Sequence, residues 1–143
     1  MTAITYAANS VSFVNNGVAL TDFLEGDFIT IAPVNPITSH VNGSNGSVNI
    51  NRHNGADVHD VTVRTPAHSD TDIFLNNAKR NPDITVLNGS LKENFKKDGV
   101  PGIEDWILKN GSVITGSTIT KNNTDGNSVS EYVIRYRTAI RNI

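Results

Sequence analysis

The sequence predicts a mainly β domain, rich in hairpins, with one α-helix. Asn-Gly pairs occur six times and Asp-Gly pairs twice, and both supply the positive φ that tight hairpin turns need. Apolar residues make up 37% and charged residues 18% of the chain, below the typical values of about 45–50% and about 25%, because Asn, Thr and Ser take their place. The length of 143 residues suits a single domain over 1–143.

Strand-like stretches lie between the turns. We expect the last of them to pair with 112–121 across a polar, glycine-containing loop at 122–127. In that last strand apolar and charged side chains alternate, as in a strand with one buried face: Tyr132, Ile134, Tyr136 and Ile140 alternate with Glu131, Arg135, Arg137 and Arg141. The predicted strands are 3–14, 28–34, 47–53, 57–65, 83–87, 112–121 and 128–141.

One helix is predicted at about 69–80. Ser69 precedes two aspartates in a pattern similar to a capping box, and two basic residues, Lys79 and Arg80, come at the other end. Asn81-Pro82 then ends the helix. We expect it to pack on a sheet through Ile73, Phe74 and Leu75. The segment 103–109 fits a short helix or a strand equally well.

The Asn54-Gly55 pair predicts a two-residue hairpin turn in which Arg52 faces Asp57 and Val48 faces Val61. Alternate residues of paired strands then share a face. One face is apolar and carries Val48, Ile50, Val61 and Val63, whereas the other is wholly polar and carries Asn49, Asn51, Asp60, Thr62 and Arg64.

Charge excludes an ordinary nucleic-acid binder. The formal net charge is −2 and the pI is near 6.0, whereas such domains usually have a pI above about 9. Residues 1–72 carry two basic and seven acidic side chains, and 73–143 carry ten and seven. These halves attract each other within a chain or between copies. No run of about 20 apolar residues and no signal peptide is evident, so we expect the protein to begin in the cytoplasm.

No residue pattern makes a convincing enzyme or cofactor site. His53 and His59 fall on opposite faces of the predicted hairpin, which disfavours a shared metal. The aspartates at 70 and 72 read as helix-capping groups rather than a calcium loop. The chain has no cysteine, no phosphate-binding glycine loop and no nucleophile elbow. Trp106 is expected to anchor the core or an interface, and we expect neither catalysis nor a cofactor.

Long strands with exposed edges are a hazard for a monomer, so we expect neighbouring copies to complete the sheet. In their order, three segments resemble tail tube proteins of contractile-tailed bacteriophages. They are GDFITIAPVNP at 26–36, NGSNGSVNINRHNGADVHDVTVRT at 42–65 and the helix SDTDIFLNNA at 69–78. Within them, 43–46 stands at the family's turn, 60–64 forms its Thr/Val strand, and Ser69, Asn76 and Ala78 lie in its helix.

The resemblance implies two packed antiparallel sheets, a sandwich or half-barrel, with one flanking helix. Six copies would form a ring in which inner strands close a large β-barrel, and rings would stack into a tube. The implied partners are other copies, the tail sheath, the tape measure, and baseplate and tail terminator proteins. Double-stranded DNA would pass through without specific binding, in a virion tail assembled in the host cytoplasm.

Within that architecture, the polar hairpin face is predicted to line the lumen through Asn49, Asn51, Asp60, Thr62 and Arg64, with Arg64 paired to a neighbour's carboxylate. Loops at 43–46, 88–102 and 122–127 are candidates for contacts between rings. The candidate contact residues are Gly43, Ser44, Asn45, Lys96, Lys97, Asp98, Asn123, Asp125, Arg135 and Arg137. Three alternatives stay open: a secretion-system or bacteriocin tube, a β-sandwich binding or capsid decoration module, and a small hydrolase.

Overall fold

Long antiparallel strands alternate with short turns along most of the chain. The computed structural model describes residues 2–81, 85–124 and 126–143, and the side chains of all of these except 7–10. The predicted mainly β fold with a flanking helix is confirmed. The elements are β1 (Ile4–Asn15), β2 (Val18–Leu20), β3 (Ile29–Pro33), β4 (Thr38–Asn42), β5 (Val48–Arg52), β6 (His59–Pro66), α1 (Asp70–Arg80), β7 (Leu87–Lys97), β8 (Val100–Lys121) and β9 (Ser128–Asn142).

The strands form two antiparallel sheets, and neither closes into a barrel within one chain. Seven strands have the order β2-β1-β7-β8-β9-β6-β3, and β4 pairs with β5 alone. The predicted pairing of the last strand with 112–121 is confirmed, since Ser112 pairs with Arg135 and Lys121 with Ser128. The segment 103–109 is strand, within β8. Of the predicted strand 83–87, residues 83 and 84 lie outside the described residues, 85–86 are not strand, and β7 begins at Leu87.

The core lies between α1 and the sheet. Val61, Val63, Ile134 and Leu75 are completely buried there. Thr71, Leu75 and Ala78 form the buried stripe of α1, at the i, i+4, i+7 spacing of one helix face. The predicted anchor Ile73 is wrong: it is 54% exposed, because its position falls on the other side of that stripe.

The helix begins where the sequence predicts. Ser69 Oγ accepts a hydrogen bond from the Asp72 amide at 3.2 Å, and Asp72 Oδ2 accepts one from the His68 amide at 2.8 Å. The first contact satisfies an amide that a helix N-terminus otherwise leaves without a partner, and the second ties the residue before the cap to the first turn.

The predicted hairpin between β5 and β6 is wrong. β5 pairs with β4, joining Thr38 to Arg52, while β6 pairs with β3 and β9. The intervening chain makes successive turns, with the Ala56 amide bonded to the His53 carbonyl at 3.1 Å. The expected ion pair of Arg52 with Asp57 is present at 2.7 Å, although no strand pairing supports it.

The predicted loop at 88–102 is also wrong. β7 and β8 form one long hairpin there, joined by Asp98-Gly99 with φ values of 49° and 80°. Positive φ at both central residues is what an Asp-Gly hairpin turn requires. The two-residue turn leaves Lys97 paired with Val100, so the lysines at 96 and 97 belong to a strand.

Candidate assembly surfaces

The outward side of strands β3, β6, β9 and β8 is a polar surface, here called the polar strand face. Thr62 pairs with Thr30 on one side and Val133 on the other. Asp60 pairs with Arg135, and Arg135 in turn with Ser112. The face is therefore four strands wide and bears hydroxyl, carboxylate and guanidinium groups, while the other side of the same strands faces the core.

Two of the arginines on this face, Arg64 and Arg135, have carboxylate partners within the chain. Arg135 binds both Asp60 oxygens, at 2.8 and 3.1 Å, and this hydrogen bonding raises the pKa of Arg135. Arg64 lies 3.6 Å from the Glu131 carboxylate of the same chain, and its pairing with a carboxylate of a neighbouring copy stays a prediction. Arg137 donates to the Asn54 carbonyl at 3.4 Å. Most of the positive charge on the face is thus neutralised locally.

The five residues predicted to line a lumen fall into two groups. Asp60, Thr62 and Arg64 lie together on the polar strand face. Asn49 and Asn51 lie on β5, in the other sheet, opposite Val41 and Ser39. The single polar face predicted from the Asn54-Gly55 turn therefore does not exist within one chain.

Among the described residues, no third strand pairs with the β4–β5 hairpin, although Arg52 reaches Asp57 beyond its end. Every residue of both strands is exposed, including Val48 at 53% and Ile50 at 64%. Its tip is ordered by a 2.7 Å bond from the Gly43 amide to the Ser47 carbonyl and by Gly46 at φ 84°. An isolated two-stranded hairpin is only marginally stable in water, so this one lacks the covering surface that a second sheet layer would supply.

The predicted contact residues are spread over several ends of the molecule. Gly43, Ser44 and Asn45 lie at the exposed tip of the β4–β5 hairpin, and Asn123 lies in the β8–β9 loop. Asp98 is at the β7–β8 turn and binds Ala3 through both its amide and its carboxylate, at 2.8 and 2.7 Å. Asp125 lies outside the described residues. The remaining four lie within strands: Lys96 and Lys97 in β7, Arg135 and Arg137 in β9.

A cleft of about 340 Å³ lies where the edge strand β3 approaches the face of β7 and β8. Ile29 and Ile31 form one wall, and Leu91 and Trp106 form the other. Two glutamates directly opposite each other, Glu93 and Glu104, lie at its rim. Neither glutamate is evident from the sequence, because the cleft exists only through the approach of strands far apart in the chain.

The rim glutamates differ in their partners. Glu104 accepts from the Trp106 indole at 3.1 Å and from Arg141. Within the described residues, the Glu93 carboxylate has neither a hydrogen bond nor an ion pair. Like charges directly opposite each other destabilise a sheet, so Glu93 is an acidic group without compensation beside an apolar cleft.

A hydrogen-bonded group of polar side chains fixes α1 to the sheet. The Tyr132 hydroxyl donates to Asp72 at 2.5 Å and accepts from Ser117 at 2.9 Å, and Lys79 donates to Ser117 at 3.3 Å. Burial, followed by the bond to Asp72, raises the pKa of Tyr132 to about 12. The phenol is therefore neutral at ordinary pH and only 1% exposed, which suits a structural bond and gives substrate no access to that hydroxyl.

No group of three or more histidine, aspartate or glutamate side chains in 2–81, 85–124 and 126–143 is placed to hold a metal ion. In those same ranges, no helix has the length and apolar character needed to cross a membrane.

No protein-family model matches the chain, and no curated protein matches it. The solved structure of the anti-feeding prophage cap, the tube terminating cap of that particle, does match. Its TM-score is 0.64 and its sequence identity is 9%, over 96% of this chain and 91% of the cap chain. At this identity the likeness shows the fold alone. The chain therefore shares its fold with that tube terminating cap.

Proposed function

We propose that this chain is a structural subunit of a phage tail tube, with six copies forming a ring and rings stacking into a hollow tube. The observation that carries the proposal is an incomplete β architecture in the fold of a tube cap: a seven-stranded sheet that does not close, and a separate exposed hairpin. The lumen would hold the tape measure and then conduct DNA, with the sheath outside.

The sheet edges support self-assembly. β2 covers β1 only along residues 13–15, so the outer edge of 4–11 has no strand beside it among the described residues. β3, five residues long, is the other edge. Exposed edges invite pairing with another chain, and closing strands from several copies into a barrel removes them.

The polar strand face supports a channel role. DNA affinity depends on how many phosphates a surface neutralises with Lys and Arg. Because Asp60 and Glu131 already pair with Arg135 and Arg64, this face offers few cations to phosphate. A channel lined by it would let DNA pass without holding it.

A second candidate within the same architecture is a terminating ring at the tube end. The matched structure is itself a tube terminating cap, and the match extends over nearly all of both chains. A cap would form rings that bind a tube end and do not elongate. A tube subunit would polymerise without limit.

Negative-stain imaging with light scattering tests these functions. Hollow tubes of uniform width are expected for the tube subunit, and single rings for the cap. A secretion-system tube would give the same images as a phage tube and be separated by its cargo. A persistent monomer at high concentration, even with preformed tube ends added, would overturn both and favour a β-sandwich binding module.

The channel role has its own test. The double variant Asp60→Asn/Glu131→Gln leaves Arg135 and Arg64 unpaired, so its DNA affinity should rise and the salt slope should steepen by about 2, one for each arginine. Asp57→Asn is the matched control, because it frees Arg52 outside the polar strand face. Equal DNA affinity of the wild type and the double variant would contradict the proposed role.

A further inference from the structure

The far end of β1, β7 and β8 forms a projection, here called the tongue, made of 4–6, 93–97 and 100–104. On the side that continues the core face, Tyr6 pairs with Phe95 and Phe95 with Gly102. Gly102 leaves room for the Phe95 ring, since a Cβ there would lie 2.6 Å from its Cζ. At the tip, Ile4 and Val100 are 51% and 66% exposed. Between Glu93 at its base and Lys97 at its tip this face is apolar, and no described residue outside the tongue pairs with its strands there.

The β4–β5 hairpin has a matching face. Val48, Ile50 and Arg52 project on one side together with His40, which is directly opposite Ile50. Residues 38–52 contain no aspartate or glutamate. The hairpin thus offers two apolar side chains followed by a cation. It carries no acidic group that would repel the glutamates of the tongue.

The side chains that project from the tongue and from the hairpin have the same spacing along their strands. Along β7 the same side carries Glu93, then Phe95, then the tip row at Lys97 and Val100. Along β5 it carries Arg52, then Ile50, then Val48. Residues two apart in a strand lie about 6.6–6.8 Å apart. Placing Ile50 against Phe95 therefore brings Arg52 to Glu93 and Val48 to the tip.

We propose that the β4–β5 hairpin of one copy docks on the tongue of a second copy, with Ile50 against Phe95 and Arg52 beside Glu93. This contact rests on the proposed self-assembly and names the surfaces that perform it. It is heterologous: each copy uses its hairpin on one neighbour and its tongue on another. Such contacts produce rings when the rotation closes and filaments when it does not.

The free energy of assembly should favour moving Arg52 from Asp57 of its own chain to Glu93 of the second copy. In the single chain Arg52 pairs with Asp57 while both side chains are largely exposed, and exposed ion pairs contribute little. Moving the guanidinium to the cleft rim gives it Glu93, whose charge otherwise lies opposite Glu104. Covering the apolar side chains of both faces adds hydrophobic stabilisation in proportion to the area buried.

Disulfide trapping tests the contact directly, because the chain has no cysteine of its own. Copies carrying Val48→Cys and differently tagged copies carrying Val100→Cys are mixed and oxidised. A mixed dimer is expected in high yield. The matched control is Asn49→Cys with Val100→Cys, since position 49 is exposed on the opposite face of the same strand. Equal yields from the two mixtures would overturn the proposal.

Charge reversal gives a second test. Glu93→Arg and Arg52→Glu should each raise the concentration for half-assembly about tenfold, equal to about 1.4 kcal/mol. The double variant restores opposite charges between copies and should recover most of the loss. Thermal unfolding of each monomer shows whether the variants remain folded.

The outcomes separate this contact from the proposed function. Rings or tubes without the Val48–Val100 cross-link, or without charge-swap recovery, would reject the contact and leave the tube function standing. If the protein forms neither assemblies nor mixed dimers at any concentration, the contact and the proposed function both fail.

Discussion

β5 and β6 have nearly the same pattern and opposite surroundings. VNINR in β5 and DVTVR in β6 both alternate apolar and polar residues. Val61 and Val63 of β6 are completely buried, whereas Val48 and Ile50 of β5 are 53% and 64% exposed. β6 lies between β3 and β9, while β5 has only β4 beside it. Alternation of apolar and polar residues predicts a strand, but it does not predict which surface covers the apolar face of that strand.

This contrast divides the molecule into a core that maintains the fold and projections that we propose serve assembly. The largest expected effect is therefore on the core. Ile134→Ala, at a completely buried position, should lower the free energy of unfolding by about 2–5 kcal/mol. Ile50→Ala, the same change on the hairpin, should stay within about 0.5 kcal/mol. Denaturant unfolding of dilute monomer measures both, and equal losses would abolish the distinction.

The next largest effect on the free energy of unfolding should come from removing the buried hydroxyl of Tyr132, compared with removing the exposed hydroxyl of Tyr6. Tyr132→Phe removes the bond to Asp72 and the better of the two acceptors of the Ser117 hydroxyl, the other being Asn76 Oδ1 at 3.5 Å. It should therefore cost about 1–3 kcal/mol. Tyr6→Phe on the tongue, 65% exposed, should leave the monomer unchanged. The same unfolding measurement applies, and a costly Tyr6→Phe would place the tongue in the core.

Asp72 should make the stability of the core depend on pH. Burial raises its pKa, but hydrogen bonds from Tyr132 and the His68 amide outweigh burial and lower the pKa below its usual value. The stabilisation is therefore complete above the unfolded pKa near 3.9 and is lost as the pH falls through the lower folded value. Unfolding between about pH 5 and pH 2 should show this loss.

Two variants serve as comparison for this pH dependence. In Asp72→Asn the loss of stability at low pH should be smaller than in the wild type. Asp70→Asn, a change in the same helical turn without a bond to Tyr132, should leave it in place. A wild-type profile that stays flat through this range would contradict the assignment to Asp72.

The smallest effect should have the opposite sign. Glu93→Gln removes one of two like charges that lie directly opposite each other, so the monomer should gain about 0.2–1 kcal/mol. Assembly should weaken at the same time, because the hairpin cation loses its partner. Glu131→Gln, which removes a carboxylate paired with Arg64, should bring no gain. A monomer destabilised by Glu93→Gln would mean that Glu93 supports the fold.

Local signals predicted the elements that depend on local chemistry. Ser69 and Asp72 set the start of α1, and the Asp98-Gly99 turn was evident as a pair, although 88–102 as a whole was predicted to be a loop. β8 and β9 were paired correctly, since a short polar loop joins them. The error at β5 has a physical cause: the Asn54-Gly55 turn favours pairing with β6, but both edges of β6 are taken, one by β3 and the other by β9 from the other end of the chain.

The candidate surfaces were likewise predictable where they depend on a single strand and not where distant strands meet. Asp60, Thr62 and Arg64 were grouped correctly, because they alternate along a single strand. Their partners Arg135 and Glu131 come from β9, and only the sheet order brings them close. The cleft beside Glu93 depends on β3 reaching the face of β7, which no spacing along the chain encodes.

Hydrogen exchange of the dilute monomer and of assembled protein tests the division between core and projections most directly. Amides of β6 and β9 should be protected in both states. Amides of 38–52 should exchange rapidly in the monomer and become protected on assembly, because partial stability follows local burial. Strong protection of 38–52 in the monomer, or rapid exchange that persists in the assembled state, would contradict the account.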